Sequence, residues 1–210
     1  MYFDQINVIY GAVSDQCTPQ TCPTMNAPSN NQFVWLDEKG KKFKYSASQF
    51  IDTVLTYVAK KISDETLFPT IVGQPFPANF ESLVKKIHKH LFQILAHMYH
   101  SHYKELLQLK LNAYVNSIYL HLLLFGKSFN LLEDKDIEVM DQLNKALMNK
   151  YLIDNTMLSQ LNIIQQPANF LNSNHQPTIH QSATSSNNSS SSGSTGFSFF
   201  KKKLNFNLMA

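Results

Sequence analysis

Apolar residues recur at helical spacing through most of the first three quarters of the chain and then stop. Phe3, Ile6, Ile9 and Tyr10 share one face, which predicts a helix over residues 2–13. The stretch from Cys17 to Pro28 holds three prolines and both cysteines, so it predicts a loop. Two short aromatic and β-branched runs, 33–36 and 42–45, flank Asp37-Glu-Lys-Gly40, the pattern of a β-hairpin.

Ser46-x-x-Gln49 has the form of a capping box, and Phe50, Ile51, Val54, Tyr57 and Val58 follow at helical spacing to about Ile62. Residues 64–79 contain Pro69, Pro75 and Pro77 and predict an extended connector whose Leu67, Phe68 and Phe76 pack on the core. The clearest helix comes next. Phe80, Leu83, Val84, Ile87, Leu91, Ile94, Leu95 and Met98 keep to one face. Two further helices are predicted over 114–129 and 137–147, the first so apolar that it is expected to be central.

From Gln165 the composition turns to Ser, Asn and Gln, which cannot bury enough apolar area to offset ordering entropy. The expected organisation is a helical domain over 1–150, a helical or irregular extension over 151–164, and a disordered tail over 165–210. Within that tail, Phe197 to Leu204 has the composition of a short contact motif, although such ends usually do nothing specific. The fold class is mostly α, a compact helical bundle with a small β-hairpin.

The charge pattern narrows the partners. All 15 acidic residues and all but three of the 18 basic ones lie before residue 155, so the expected folded part is neutral and the formal +3 resides in Lys201, Lys202 and Lys203. A neutral domain lacks the cationic field that drives phosphate-backbone binding, so nucleic acid is not an expected partner. Every basic residue is Lys, which removes the two-pronged donor that Arg offers to phosphate. The chain shows no signal-peptide pattern and no apolar run of about 18 residues. With two cysteines, this reads as an intracellular protein, cytoplasmic or nuclear, with no membrane partner and with the thiols free of disulfide.

Two thiols at Cys17-x4-Cys22 and the imidazoles of His97, His100 and His102 supply the ligand types of a tetrahedral zinc site. The 74 residues between Cys22 and His97 exceed any zinc finger, so a metal would tie the early loop to the long helix. On an unbroken helix His97 and His100 stand about 60° apart and His97 and His102 about 140°, so spacing alone favours 97 with 100. A catalytic alternative is a small zinc hydrolase with His97, His100 and His102 as ligands and Glu105 as base, but the cysteines would fill its open position. No glycine-rich phosphate loop occurs. The reading is therefore of a protein that is not an enzyme. Lys86, Lys89, His90, Gln93 and His97 form a partly basic strip beside the apolar face of the long helix, suited in type to an anionic or phosphorylated segment.

Several phrases occur in order over residues 2–148: Phe3-x-Gln5-Ile6-Asn7, Cys17-Thr-x-x-x-Cys22-Pro-x-Met25, Trp35, Asp64-Glu-Thr-Leu-Phe-Pro69, Pro75-Phe-Pro-x-Asn-Phe80, Leu95-Ala-His97-x-Tyr-x-x-His102 and Phe129-Asn-Leu-Leu132. Together they resemble the Mob family of kinase co-activators. The resemblance implies a Mob-like helical fold and one structural zinc on Cys17, Cys22, His97 and His102, with His100 left out. It also implies a non-catalytic co-activator that binds the N-terminal regulatory region of an NDR/LATS-class Ser/Thr kinase. For His102 to join the site, the helix must bend or end between Tyr99 and Ser101.

The departures from the family pattern carry expectations too. Phosphopeptide-reading members have Lys-Arg-x-x-Arg where this chain has Lys89, His90 and Gln93, so weak phosphopeptide binding is expected, growing toward pH 6 if His90 protonates. Glu105-Leu-Leu-x-Leu and Leu95-Ala-His97 are closer to the NDR-binding subclass. The family's upstream helical segment precedes the point where this sequence starts, so Tyr2, Phe3 and Ile6 are expected to be exposed and to take part in kinase binding. A degenerate member without kinase binding is the remaining alternative.

Overall fold

Helical periodicity and local capping account for most of the architecture, which the computed structural model describes for residues 2–160. Helix α1, Tyr2–Gly11, leads into the cysteine loop. Strands β1, Met25–Ala27, and β2, Asn31–Phe33, then pair antiparallel, followed by a second hairpin of β3, Trp35–Leu36, and β4, Lys42–Phe43. Helices α2, Ala47–Ile62, and α3, Phe80–Ser101, flank the proline-rich connector. The remaining helices are α4, Tyr103–Gln108, α5, Asn112–Ser128, α6, Asp134–Glu138, and α7, Asp141–Gln160.

The β3–β4 hairpin and the reciprocal cap of α2 stand where the sequence puts them. Gln49 N–H donates to the Ser46 hydroxyl while Gln49 Oε1 accepts from Ser46 N–H, which satisfies two backbone donors that a helix start leaves open. The β1–β2 hairpin, by contrast, occupies part of the stretch read as loop. Its turn sets Ser29 and Asn30 at φ of 60° and 56°, a left-handed pair that twists two short strands together without glycine. Asn30 is of a type that tolerates this region, whereas Ser29 is not.

α3 has the most neighbours in the bundle, and α5, whose apolarity over residues 120–125 suggests a central place, packs on α1, α3, α4 and α7. β1, α1, α2, α4 and α5 all pack on α3, and Phe92, Ile94, Leu95, Ala96 and Met98 are fully enclosed around its circumference. α5 lies against α3 with the Tyr119 ring on Phe92 and Tyr99 and with the Leu122 carbonyl bonded to His88 Nε2. Gly126 of α5 leaves no free room for a side chain: a Cβ there would stand 2.7 Å from His88 Nε2 and 2.8 Å from Leu132 Cδ1.

The segment predicted as one helix over 137–147 is split at Val139 and Met140 into α6 and α7. Buried Asn144 bridges the pieces, accepting from Tyr119 Oη at 2.5 Å and donating to the Ile137 carbonyl at 3.1 Å. In the connector, Leu67 and Phe68 pack on the core as expected. Phe76 does not, remaining 42% exposed with its ring against Phe80. α7 carries the chain to Gln160, into the segment read as helical or irregular; the reading of 165–210 as a disordered tail falls outside the described residues. Among the described residues no helix is long and apolar enough to cross a membrane.

Candidate metal centre

The cysteine loop is folded by its own polar residues before any metal is considered. Cys22 N–H donates to the Thr18 carbonyl at 2.8 Å, and Thr18 N–H and Thr21 N–H donate to each other's hydroxyls at 2.9 and 3.2 Å. Ala47 N–H donates to the Cys22 carbonyl at 3.0 Å, which docks this knot on the start of α2. Both thiols therefore point inward, Cys17 2% and Cys22 7% exposed.

From the other side, α3 presents His97, which is wholly buried. The helix ends at Ser101, and His102 takes φ −129° and ψ 11° between α3 and α4. The helix runs through the Tyr99–Ser101 interval where a bend was expected and breaks one residue later, at His102 itself. The break releases His102 from the helical wheel and turns its ring back toward the cluster, while His100 is left exposed outside it. The preference for 97 with 100 thus fails because it assumed an unbroken helix.

The four ligand atoms of Cys17, Cys22, His97 and His102 lie within 4.8 Å of one another, with Cys17 Sγ 3.6 Å from His97 Nε2 and Cys22 Sγ 3.5 Å from His102 Nε2. Zinc–sulfur and zinc–nitrogen bonds of about 2.3 and 2.0–2.1 Å generate tetrahedral edges of about 3.3–3.8 Å. The two sulfur–nitrogen separations match such edges. His97 Nδ1–H donates to the Asn26 carbonyl at 2.8 Å, which fixes the tautomer that turns the Nε2 lone pair to the thiols.

Without a cation, this pocket favours uncharged groups. Burial pushes the Cys17 thiol up to about 12, and the neighbouring Cys22 adds to the effect. Burial likewise holds His97 down to about 4, against the opposing hydrogen bond that it donates to the Asn26 carbonyl, and lowers His102, with Glu105 opposing. A divalent cation reverses the preference at the thiols, since two thiolates neutralise it and two neutral imidazoles complete the shell. The donor set fits a closed metal site. The three-imidazole hydrolase site is not assembled, because His100 lies outside the cluster and both thiols lie within it.

The strip on α3 is placed differently from its sequence reading. His90 is only 8% exposed, its ring 5.0 Å from that of Trp35 and flanked by Phe50 and Tyr57. β3 and α2 cover a flank that the periodicity assigned to solvent. Burial lowers His90 to about 4, Lys86 and Lys89 add to this, and the Gln93 hydrogen bond at 2.9 Å opposes it. Protonation of His90 near pH 6 is therefore not available, which corrects the pH dependence expected above. Lys86 lies over the rings of Trp35 and Tyr57, and Lys89 pairs with Asp136 at 2.7 Å.

On α1, Ile6 is fully buried in the core and presents no surface to a partner, contrary to expectation. Tyr2 and Phe3 are half-buried; Tyr2 packs edge-on against His88, His121 and Phe125. The burial pattern of the opening turns held the signal for Ile6, because its spacing from Ile9 and Tyr10 is that of a core face. The Asn26 carbonyl carried no signal, being backbone.

The sequence profile of the Mob1/phocein family matches residues 1–140. The chain belongs to that family. It is 47% identical over 146 residues to MOB kinase activator 2 of Homo sapiens, covering 70% of this chain and 61% of that protein. To the maintenance of ploidy protein mob2 of Schizosaccharomyces pombe it is 40% identical over 148 residues, covering 70% and 61%. To MOB kinase activator-like 1A of Arabidopsis thaliana it is 36% identical over 152 residues, covering 71% of each. The chain thus spans about three fifths of the length of the first two relatives. Family membership agrees with the mostly helical fold and with the clustered cysteine and histidine pairs that tie its loop to α3.

Proposed function

We propose that this Mob-family chain is a non-catalytic kinase co-activator that binds the N-terminal regulatory region of an NDR/LATS-class Ser/Thr kinase, and that Cys17, Cys22, His97 and His102 hold one structural zinc. The observation that carries the reading is its 47% identity to a protein named a kinase activator, together with the Mob1/phocein match over residues 1–140, the stretch that contains the cysteine and histidine cluster. Four protein ligands, all buried, suit a staple and leave no open position for a reacting water. When bound, zinc would supply charge neutralisation and a cross-link between the loop and α3, which otherwise rests on the packing of β1 and the Asn26–His97 bond.

The kinase-facing surface is assigned to the outer face of α1, with Tyr2 and Phe3 at its edge and Val8, 65% exposed, on it. Phosphopeptide binding is weak in this account, because Lys89 is engaged by Asp136 and His90 is buried and neutral. In this reading the protein acts in the cytoplasm or nucleus. A pull-down with the N-terminal segment of an NDR-class kinase, accompanied by metal analysis of the purified chain, tests the two halves separately. Retention on the segment with one zinc per chain is expected; a folded, zinc-loaded chain that fails to be retained would end the kinase reading.

A further inference from the structure

The two histidines of the cluster are served unequally. Both turn Nε2 toward a thiol, at 3.6 and 3.5 Å. His97 Nδ1 is anchored by the Asn26 carbonyl at 2.8 Å, whereas His102 Nδ1 has no such acceptor among the described residues. A metal-bound imidazole ordinarily donates its second N–H to a carboxylate, carbonyl or water, and this bond sets the ring's orientation and basicity.

The missing acceptor has a candidate close by. Glu105 follows His102 by three residues in the first turn of α4, so the two side chains share one side of that helix start. Glu105 Oε2 is buried with no hydrogen-bond partner. A carboxylate oxygen shut away from water without a donor is costly, and a donor is what the His102 ring lacks an acceptor for. Glu105 is near enough that its charge opposes the effect of burial on His102.

We propose that Glu105 is a positioning residue of the metal centre: in the metal-loaded chain its carboxylate, which makes no hydrogen bond to His102 in this structure, turns to accept Nδ1–H of His102 and does for that ligand what the Asn26 carbonyl does for His97. This rests on the reading of the cluster as a zinc site. The centre then has one neutral and one anionic outer partner. The carboxylate makes His102 the more basic imidazole, and its loss weakens the hold of the loop through Cys22 as well as through the ring itself. A purely structural part for Glu105, a negative charge favouring the N-terminal end of α4, is the competing explanation.

The test compares the unsubstituted chain with Glu105→Gln and Glu105→Asp. Zinc affinity is read by competition with a chelator, and the ring nitrogens of His97 and His102 by long-range proton–nitrogen NMR. Glu105→Gln is expected to weaken zinc roughly 10–100-fold and to shift the His102 Nδ1 resonance while leaving that of His97 in place. Glu105→Asp, with the charge kept and the reach shortened, should recover part of the affinity. If the Gln variant does not fold, the Asp variant must still show a displaced His102 resonance. A lowered melting temperature with unchanged zinc affinity and unchanged ring resonances would assign Glu105 to α4 alone and overturn the proposal. Absence of zinc from the unsubstituted chain would overturn the zinc site and this inference together, whereas zinc bound equally by all three chains would overturn only the role of Glu105.

Discussion

His97 Nδ1–H donates to the carbonyl of Asn26 across 2.8 Å, so the C-terminal part of α3 and the first strand of a two-stranded hairpin are joined through a buried imidazole. The hairpin has only three residues per strand and cannot stand alone. Its attachment to α3 combines the packing of buried Met25 and Ala27 with this one polar bond, so whatever holds the His97 ring also helps to hold the cysteine loop.

The ligand set makes opposite predictions for two histidines three residues or fewer from the end of α3. His102→Ala should remove zinc and lower the melting temperature, and Cys22→Ser should do the same. His100→Ala, which changes an exposed side chain outside the cluster, should leave both unchanged. Metal content by elemental analysis and thermal unfolding by circular dichroism check all three; zinc lost on His100→Ala but kept on His102→Ala would restore the simple helical-wheel pairing.

His90 gives a pH dependence of definite sign. Its folded value, about 4, lies below the ordinary histidine value near 6.5, so the unfolded chain takes up the proton first. The stability that goes with neutral His90 is complete above about pH 6.5 and is lost as pH falls from there toward 4. At pH 5 the loss amounts to about 2 kcal/mol. His90→Phe, which keeps a ring against Trp35, should show a correspondingly smaller drop between pH 7.5 and pH 5 in urea unfolding. An equal drop in both proteins would mean that His90 does not titrate on unfolding in this range.

Gly126→Ala should destabilise the domain by about 1–3 kcal/mol, a typical cost of overpacking. The added methyl meets His88, whose Nε2 is held by the Leu122 carbonyl at 2.9 Å, and Leu132, which is itself buried. Chemical denaturation measures this directly; a neutral result would show that α3 and α5 can part at their contact without cost.

A phosphothreonine peptide should bind poorly at pH 7.5 and no better at pH 6.0, because His90 stays neutral through that interval. Asp136→Asn frees Lys89 and should raise the affinity several-fold, the scale of one partly exposed ion pair. Calorimetric titrations of the two proteins at both pH values decide it, and tight binding by the unsubstituted chain would place a phosphate site elsewhere.

What the sequence could reveal followed from how local each determinant is. The α2 cap, the core face of α3 and the β3–β4 hairpin are specified by neighbours in sequence, and each was legible. That α3 has the most neighbours was not, because apolar content along α5 reports local hydrophobicity and not how many elements pack around a helix. His90 was misplaced for a related reason: a flank is solvent-facing only if nothing covers it, and Trp35, 55 residues earlier, does. The four clustered side chains were singled out through the family resemblance. Their geometric justification is the break at His102, which no periodicity argument supplies.

The central claim is that this zinc-stapled Mob-family domain engages a kinase regulatory segment. Calorimetric titration of the zinc-loaded chain with the N-terminal segment of an NDR-class kinase tests it most directly. The account predicts a saturable one-to-one isotherm that disappears when Cys17→Ser strips the metal; a flat titration by the folded, zinc-loaded chain would contradict it.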